Sequence, residues 1–304
     1  MTQVFDAIII GAGPAGLTAG VYLGRFRRQC LIVHHDHSRA RWIPTSHNIP
    51  GFTAGVGGAE LLSRLEQQCR QYGGHFRKAS VTELSVRDDL FVVTALNQAP
   101  VYGRFVLLAT GVKDHLPALA GASEAVLRSV VRFCPICDAF EAIDRRIAVI
   151  GNGSHAEREA AFLSNYSHSV TLLQLSAVQP SRIAALRRQG IDCIPVSLSD
   201  LVIEEDRVIL RPAARETREF DVVYMALGCS AQHDLATGLN AKCDEHGALL
   251  VNAHQETSVA GLYAAGDIVR GLNQIVVAAA EAAIAATDIH NKLRGLTTDA
   301  HDAA

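Results

Sequence analysis

This sequence predicts an α/β protein of two doubly wound, three-layer ββα domains, the second inserted into the first. Three observations predict it. The apolar run Ala7-Ile8-Ile9-Ile10 enters the turn Gly11-Ala12-Gly13-Pro14-Ala15-Gly16, and Ile147-Ala148-Val149-Ile150 enters Gly151-Asn152-Gly153-Ser154-His155-Ala156, so one strand, turn, helix unit occurs twice. Each unit is followed by a second apolar strand, Leu31-Ile32-Val33 or Val170-Thr171-Leu172-Leu173. A chain of 304 residues, 49% hydrophobic and 19% charged, is long and apolar enough for two cores.

Taken in order, each element has its own reason. In both turns the first glycine permits a tight bend, the second lets a pyrophosphate approach the backbone, and the third small residue lets helix pack on strand. Helix N–H groups are left facing an anion. Both units therefore read as Rossmann-like nucleotide-binding domains, with Gly11, Gly13, Pro14, Ala15 and Gly16 as candidate contacts in the first. Gly151, Gly153, Ser154 and Ala156 are their counterparts in the second. Residues 89–105, with Phe91-Val92-Val93-Thr94, read as part of a small antiparallel sheet of the first domain. The runs Phe105-Val106-Leu107-Leu108-Ala109-Thr110-Gly111 and Val222-Val223-Tyr224-Met225-Ala226-Leu227-Gly228 close the units as strands that stop at glycine. Residues 113–117 have the composition of a linker, and Asp244-Glu245-His246-Gly247 that of a turn. A short strand then reaches Gly266-Asp267, and an Ala-rich helix runs from about Asn273 to His290. The expected boundaries are 1–114 with 245–304 for the first domain and 115–244 for the inserted one.

A formal charge of -3 with no sustained Lys/Arg block gives no footprint for nucleic acid. The N-terminus places Asp6 before its first apolar run and has no basic leader, so it reads as a strand rather than a signal peptide. Glu281 interrupts the apolar C-terminal stretch, so no membrane span is expected. The expected location is cytoplasmic. Of seven cysteines, five are scattered singly, unlike a secreted disulfide framework. Cys134 and Cys137 form the close pair. Two sulfurs two residues apart at a turn can form a reducible disulfide, and a neighbouring helix start favours the attacking thiolate. The alternative, half a zinc site, lacks a second Cys/His pair at ligand spacing despite thirteen histidines, and no metal is expected. Asp138, next to the pair, suits an acid and base for thiol chemistry, or a helix N-cap.

The glycine motif Gly11 to Gly16, the Ala109-Thr110-Gly111 strand end, Cys134-Pro135-Ile136-Cys137-Asp138, and Gly266-Asp267 ahead of Asn273-Gln274 together resemble the low-molecular-weight thioredoxin reductase family of flavoproteins. The resemblance covers essentially the whole chain. Its most specific element is Cys-x-x-Cys-Asp just before the second glycine motif, which sets that family apart from lipoamide-dehydrogenase-type enzymes. The resemblance implies FAD on the first domain, a redox-active disulfide on the second, and a homodimer. It implies that Cys134 exchanges with the substrate disulfide and that Cys137 meets the flavin. It also implies flavin contacts from Asn48, Ala109, Thr110, Gly111, Gly266, Asp267, Asn273, Gln274 and Ile275. NADPH would occupy the second glycine turn, the partner would be a thioredoxin-like protein or a small disulfide or dithiol, and the inserted domain would rotate about connectors at 112–117 and 242–247.

The sequence also departs from that family. Ser38-Arg39-Ala40-Arg41-Trp42-Ile43 replaces a Gly-Gly-Gln-Leu segment, Asn273 stands where Arg is usual, and His34 falls where an acid would hold a ribose. At the second site Gln174-Leu175-Ser176 replaces His-Arg-Arg, removing the guanidiniums that grip a 2'-phosphate. Arg182, Arg187 and Arg188 follow nearby, as substitute cations or as a solvated helix face. Three readings stand: an NAD(P)H-driven disulfide reductase; the same flavin–dithiol core with a ferredoxin-like donor, or as a dithiol oxidase using oxygen; and a non-catalytic flavin-binding scaffold. Cys134, Cys137 and Asp138 together favour a disulfide oxidoreductase, with the donor open.

Overall fold

A strand buried on both faces must be apolar throughout, and in Val4–Ile10 the residues Ala7, Ile8 and Ile9 have no exposure at all. This computed structural model describes residues 3–35, 37–117, 119–176, 179–213 and 216–296. The chain divides into two units: Met1–Arg41, Gly58–Lys113 and Ser230–Ala304 form one, and Trp42–Gly57 with Asp114–Cys229 form the other.

In the first unit, Val4–Ile10 pairs parallel with Cys30–His34 on one side and Val101–Leu108 on the other. His75–Lys78 extends the sheet beyond Cys30–His34. The hairpin Val81–Arg87 and Leu90–Ala95 does not form a separate antiparallel sheet, as expected from the sequence; it joins the same seven-stranded one. The reason is the length of Val101–Leu108. Its first half pairs antiparallel with Leu90–Ala95 and its second half pairs parallel with Leu262–Ala264.

One face of this sheet is covered by the helices Pro14–Arg25 and Ile275–Leu293. They meet through Ala15, Ala19, Ala278, Ala282, Ala285 and Ala286, small residues that let helix axes approach closely. The other face holds Phe5, Ile8, Leu84 and Phe91 together with Ala236, Ala241 and Leu249. Residues 230–244 thus pack in the first unit, not the inserted one, and the return crossing lies at 229–230. The chain turns there because Val222–Ala226 ends and Gly228 takes a positive φ of 79°. Gln232 N–H then bonds Gly111 O at 3.0 Å.

The second unit is a five-stranded parallel sheet in the order Asp192–Pro195, Val170–Gln174, Ile147–Gly151, Val222–Ala226, Val131–Arg132. Helices Gly153–Leu163 and Pro180–Arg188 cover one face through Ala156, Ala160, Leu163 and Leu186. The antiparallel sheet Leu201–Ile203, Val208–Leu210, Arg218–Phe220 covers the other. That is a three-layer ββα arrangement. Among the described residues no helix is long and apolar enough to cross a membrane.

Candidate redox and nucleotide sites

Cys134 and Cys137 are joined as a disulfide, with Cα atoms 5.3 Å apart. Proline at the first helical position has its φ preset and no N–H to satisfy, and here Pro135 starts the single turn Pro135–Asp138 with Cys134 extended before it. Cys137 N–H closes that turn on Cys134 O at 2.9 Å. Ile136 and Phe140, on either side of the second cysteine, are exposed. Asp138 ends the helix, so it caps no helix start.

Two residues that the sequence reading did not single out converge on Asp138. Tyr224, wholly buried, lies opposite Arg132 in the register of Val222–Ala226 with Val131–Arg132. The Tyr224 hydroxyl donates to Asp138 Oδ1 at 2.8 Å. Arg132 Nη1 donates to the Asp138 main-chain oxygen at 2.6 Å and lies 3.8 Å from its carboxylate, while Nε donates to Ser129 O at 3.0 Å. Burial pushes the Asp138 carboxyl up to about 6, against the opposing pull of Arg132 and the Tyr224 bond. Burial and the neighbouring Asp138 push the Tyr224 phenol well above its ordinary range, so it stays a donor. A carboxyl poised there both accepts and releases protons near neutral pH. The legible signal was a hydroxyl inside an otherwise apolar strand and an arginine two positions before the first cysteine.

The first glycine turn fits a pyrophosphate. Gly11 has φ +115°, and a Cβ there would lie 2.2 Å from Ala109 O; at Gly16 it would lie 1.9 Å from Gly11 O. At Gly13, by contrast, it would meet nothing nearer than Ser38 Oγ at 3.4 Å. Gly11 and Gly16 are therefore glycines for packing, and Gly13 leaves open space over the start of Pro14–Arg25, which has no acidic residue in its first turn to repel an anion. Ala15 supports Gly266, whose φ is +83° and whose N–H donates to Glu281 at 2.7 Å. Asp267 is bonded by Arg39 at 3.0 Å. Thr110 Oγ1 donates to Gln232 O at 2.7 Å, which ties this strand end to the return crossing. Gln274 is the N-cap and Ile275 the first residue of the C-terminal helix, with Asn273 half-buried before them. Arg39 and Glu281 are thus further members of this cluster that the sequence reading left unassigned. Asn48 falls in the segment Trp42–Gly57 of the other unit, where Ser46 Oγ donates to its side-chain oxygen at 2.9 Å.

The second turn has the same close packing at its first glycine but places its positive φ at the second, Gly153, where the first turn has it at Gly11. A Cβ on Gly151 would lie 2.5 Å from Ala226 O and 2.9 Å from Ala156 Cβ, whereas Gly153, φ +64°, has open space. The turn fits a pyrophosphate, and the adjoining strand Val170–Gln174 ends in an uncharged amide. Gln174 is 3% exposed, and its Nε2 is buried without a partner. Ser176 Oγ donates to the side-chain oxygen of Asn152 at 3.0 Å. Arg182, the nearest candidate cation in sequence, is bound to Glu157 through Nη2 at 2.7 Å and Nε at 3.1 Å. Ser154 stands exposed at the helix start.

A doubly wound unit with a glycine turn, repeated, and a Cys-x-x-Cys disulfide on the second unit define a flavin- and nucleotide-dependent disulfide oxidoreductase class. The family model described as pyridine nucleotide-disulphide oxidoreductase matches residues 5–282, and the chain belongs to that family. It is 28% identical over 306 residues to the thioredoxin reductase of Peptoclostridium acidaminophilum, covering 94% of this chain and 96% of that one. Among solved structures, it resembles HlmI with a TM-score of 0.88 at 26% identity, covering 97% of this chain and 95% of that one. The thioredoxin reductase of Streptococcus pyogenes shares the fold, with a TM-score of 0.85 at 23% identity and coverage of 97% and 100%.

Proposed function

We propose that this chain is an FAD-dependent thiol–disulfide oxidoreductase in which Cys134 and Cys137 carry electrons between flavin and an external disulfide or dithiol, without preference for NADPH. The observation that carries the reading is the Cys134–Cys137 disulfide immediately beside Asp138, whose carboxyl lies near 6. FAD, when bound, supplies the two-electron carrier. Gly11, Gly13, Pro14, Ala15 and Gly16 would hold its pyrophosphate, with Ala109, Thr110, Gly111, Gly266, Asp267, Asn273, Gln274 and Ile275 assigned to the rest by family resemblance.

The exchange itself uses only this chain's groups and the substrate. With the pair reduced, the Cys134 thiolate attacks a substrate disulfide, whose S–S bond breaks as a mixed disulfide forms; the departing thiolate takes a proton. Cys137 then loses its proton to ionised Asp138 and attacks Cys134 Sγ, and the second substrate thiolate leaves. One dithiol becomes a disulfide and one disulfide becomes a dithiol. The exposed Ile136 and Phe140 give the pair an apolar surround for a thioredoxin-like protein or a small organic disulfide. A homodimer and a cytoplasmic location are part of this reading, supported by the relatives' family and by cysteine usage.

The nucleotide part rests on Gln174 and on Arg182, which is engaged by Glu157. A buried amide donor suits a ribose hydroxyl, and the Arg182 guanidinium is already engaged by Glu157 rather than offered to a 2'-phosphate. Gly151, Gly153, Ser154, Ala156 and Gln174 would then hold a dinucleotide without that phosphate. The test is an anaerobic titration of purified protein, followed by flavin absorbance, with dithiothreitol, NADH, NADPH and reduced ferredoxin in turn. Bleaching by the dithiol with none by equimolar NADPH is expected. Protein without flavin, or flavin untouched by dithiol, would overturn the core reading; rapid bleaching by NADPH would overturn only its nucleotide part.

A further inference from the structure

We propose that Arg132 and Tyr224 are positioning residues for the proton-transfer carboxylate: together they fix Oδ1 of Asp138 and leave Oδ2 to exchange a proton with the Cys134–Cys137 pair. This rests on the thiol–disulfide reading above and names how that site is controlled. The Tyr224 hydroxyl has one proton and two acceptors on Asp138, Oδ1 at 2.8 Å and the main-chain oxygen at 3.2 Å; the latter already accepts from Arg132 at 2.6 Å, so the shorter contact takes the proton to Oδ1. Arg132 Nη1 lies 3.4 Å from the same hydroxyl oxygen and donates to it, which turns the phenolic proton away from the arginine and toward the carboxylate. The carboxylate oxygen nearest the guanidinium is again Oδ1, at 3.8 Å. When Asp138 is neutral its acid proton therefore resides on Oδ2, where it is free to be exchanged.

The same arginine holds the peptide that carries the cysteines. Its bonds to Asp138 O and Ser129 O fix the far end of the turn Pro135–Asp138. An arginine side chain only 9% exposed would be costly as mere packing, because a buried cation must keep its partners. The groups facing Asp138 are Arg132 and Tyr224 from two adjacent strands and Glu141 from the following turn, the last acting weakly to favour the neutral acid. The core beside this segment, Ala139 and Ala142 with Ala156 and Ala160, is apolar. In the exchange, ionised Oδ2 takes the proton of the attacking Cys137 thiol as the S–S bond to Cys134 forms, and returns it to the departing substrate thiolate. Electrons pass only between sulfurs.

The test uses flavin-loaded protein, reduced anaerobically with dithiothreitol and desalted, then mixed with 5,5'-dithiobis(2-nitrobenzoate) between pH 5 and 9. In the wild type the second thionitrobenzoate, released as Cys137 closes the disulfide, should appear at a rate with an acid limb, and Asp138→Asn should abolish that limb. Tyr224→Phe should move the limb up by about one pH unit, which reads as roughly fivefold slower release at pH 6 with little change at pH 8. Arg132→Gln should move it in the same direction, and Arg132→Lys should restore most of it. Should Tyr224→Phe lose its flavin or fold, the Arg132 pair decides alone. A uniform slowing with the midpoint unmoved, or a limb unchanged in Asp138→Asn, would overturn the proposal. Wild-type protein that releases no more thionitrobenzoate after reduction than before it would remove the function reading itself, an outcome separate from either.

Discussion

Cys134 and Cys137 are chemically alike but placed unequally. Cys134 stands before the helical turn and Cys137 within it, with its N–H bonded back to Cys134 O at 2.9 Å. The roles assigned here predict that Cys134→Ser leaves Cys137 as a thiolate against oxidised flavin. The purified variant should then show a broad long-wavelength charge-transfer absorbance, lost on acidification. A spectrum without that band, combined with one that has it for Cys137→Ser, would reverse the two roles. The cysteine pair and Asp138 were legible in the sequence because thiol exchange needs these types within one turn. Arg132 and Tyr224 were not, because a strand pairing brings them to Asp138 from positions 6 and 86 residues away.

At the scale of elements, the helix Gly153–Leu163 follows the second glycine turn and carries a carboxylate that no catalytic assignment uses. Burial pushes Glu159 up to about 7, and its Oε2 is buried without a hydrogen-bond partner. His155, one turn earlier, approaches the other oxygen at 3.2 Å. An acid whose folded pKa is raised holds its proton longer in the native state than in the unfolded chain, where it ionises near 4.5. Stability from this group therefore falls as pH rises from about 4.5 to about 7 and stays reduced above that. Glu159→Gln should gain up to roughly 3 kcal/mol over the wild type at pH 8 and little at pH 5. Thermal melts at the two pH values check it; an equal gap at both would assign the effect to packing. The glycine turns show how far element-level reading carries. Gly11, Gly16 and Gly151 are required by contacts of 1.9 to 2.5 Å that any Cβ would make with backbone oxygens.

For the whole molecule, the second copy proposed above predicts twice the chain mass in sedimentation equilibrium of the flavin-loaded protein at micromolar concentration. A monomer under those conditions would remove the dimer from the functional reading while leaving the thiol chemistry untouched. The chain's division also carries a lesson about boundaries. The turn at Asp244 to Gly247 was read correctly as a turn, with Asp244 Oδ1 accepting from His246 N and Ala248 N at 2.9 and 3.0 Å. It was wrong as a boundary. Ala236 and Ala241 fill the first unit's core, so the crossing comes earlier, at 229–230, just past the Gly228 that follows Val222–Ala226. Local turn chemistry marks where a chain bends and says nothing of which core it then enters.

By itself the sequence determined the two doubly wound units, their glycine turns and the dithiol with its acid. Each of these is encoded in residues close together along the chain, where periodicity and spacing act directly. Only the tertiary structure decided the partners of those groups: Tyr224 and Arg132 on Asp138, Arg39 on Asp267, Glu281 on Gly266, and Glu157 on Arg182. Those contacts depend on strand register and helix packing across long sequence separations, and the energies that select them reside in burial and hydrogen bonding that no local pattern specifies.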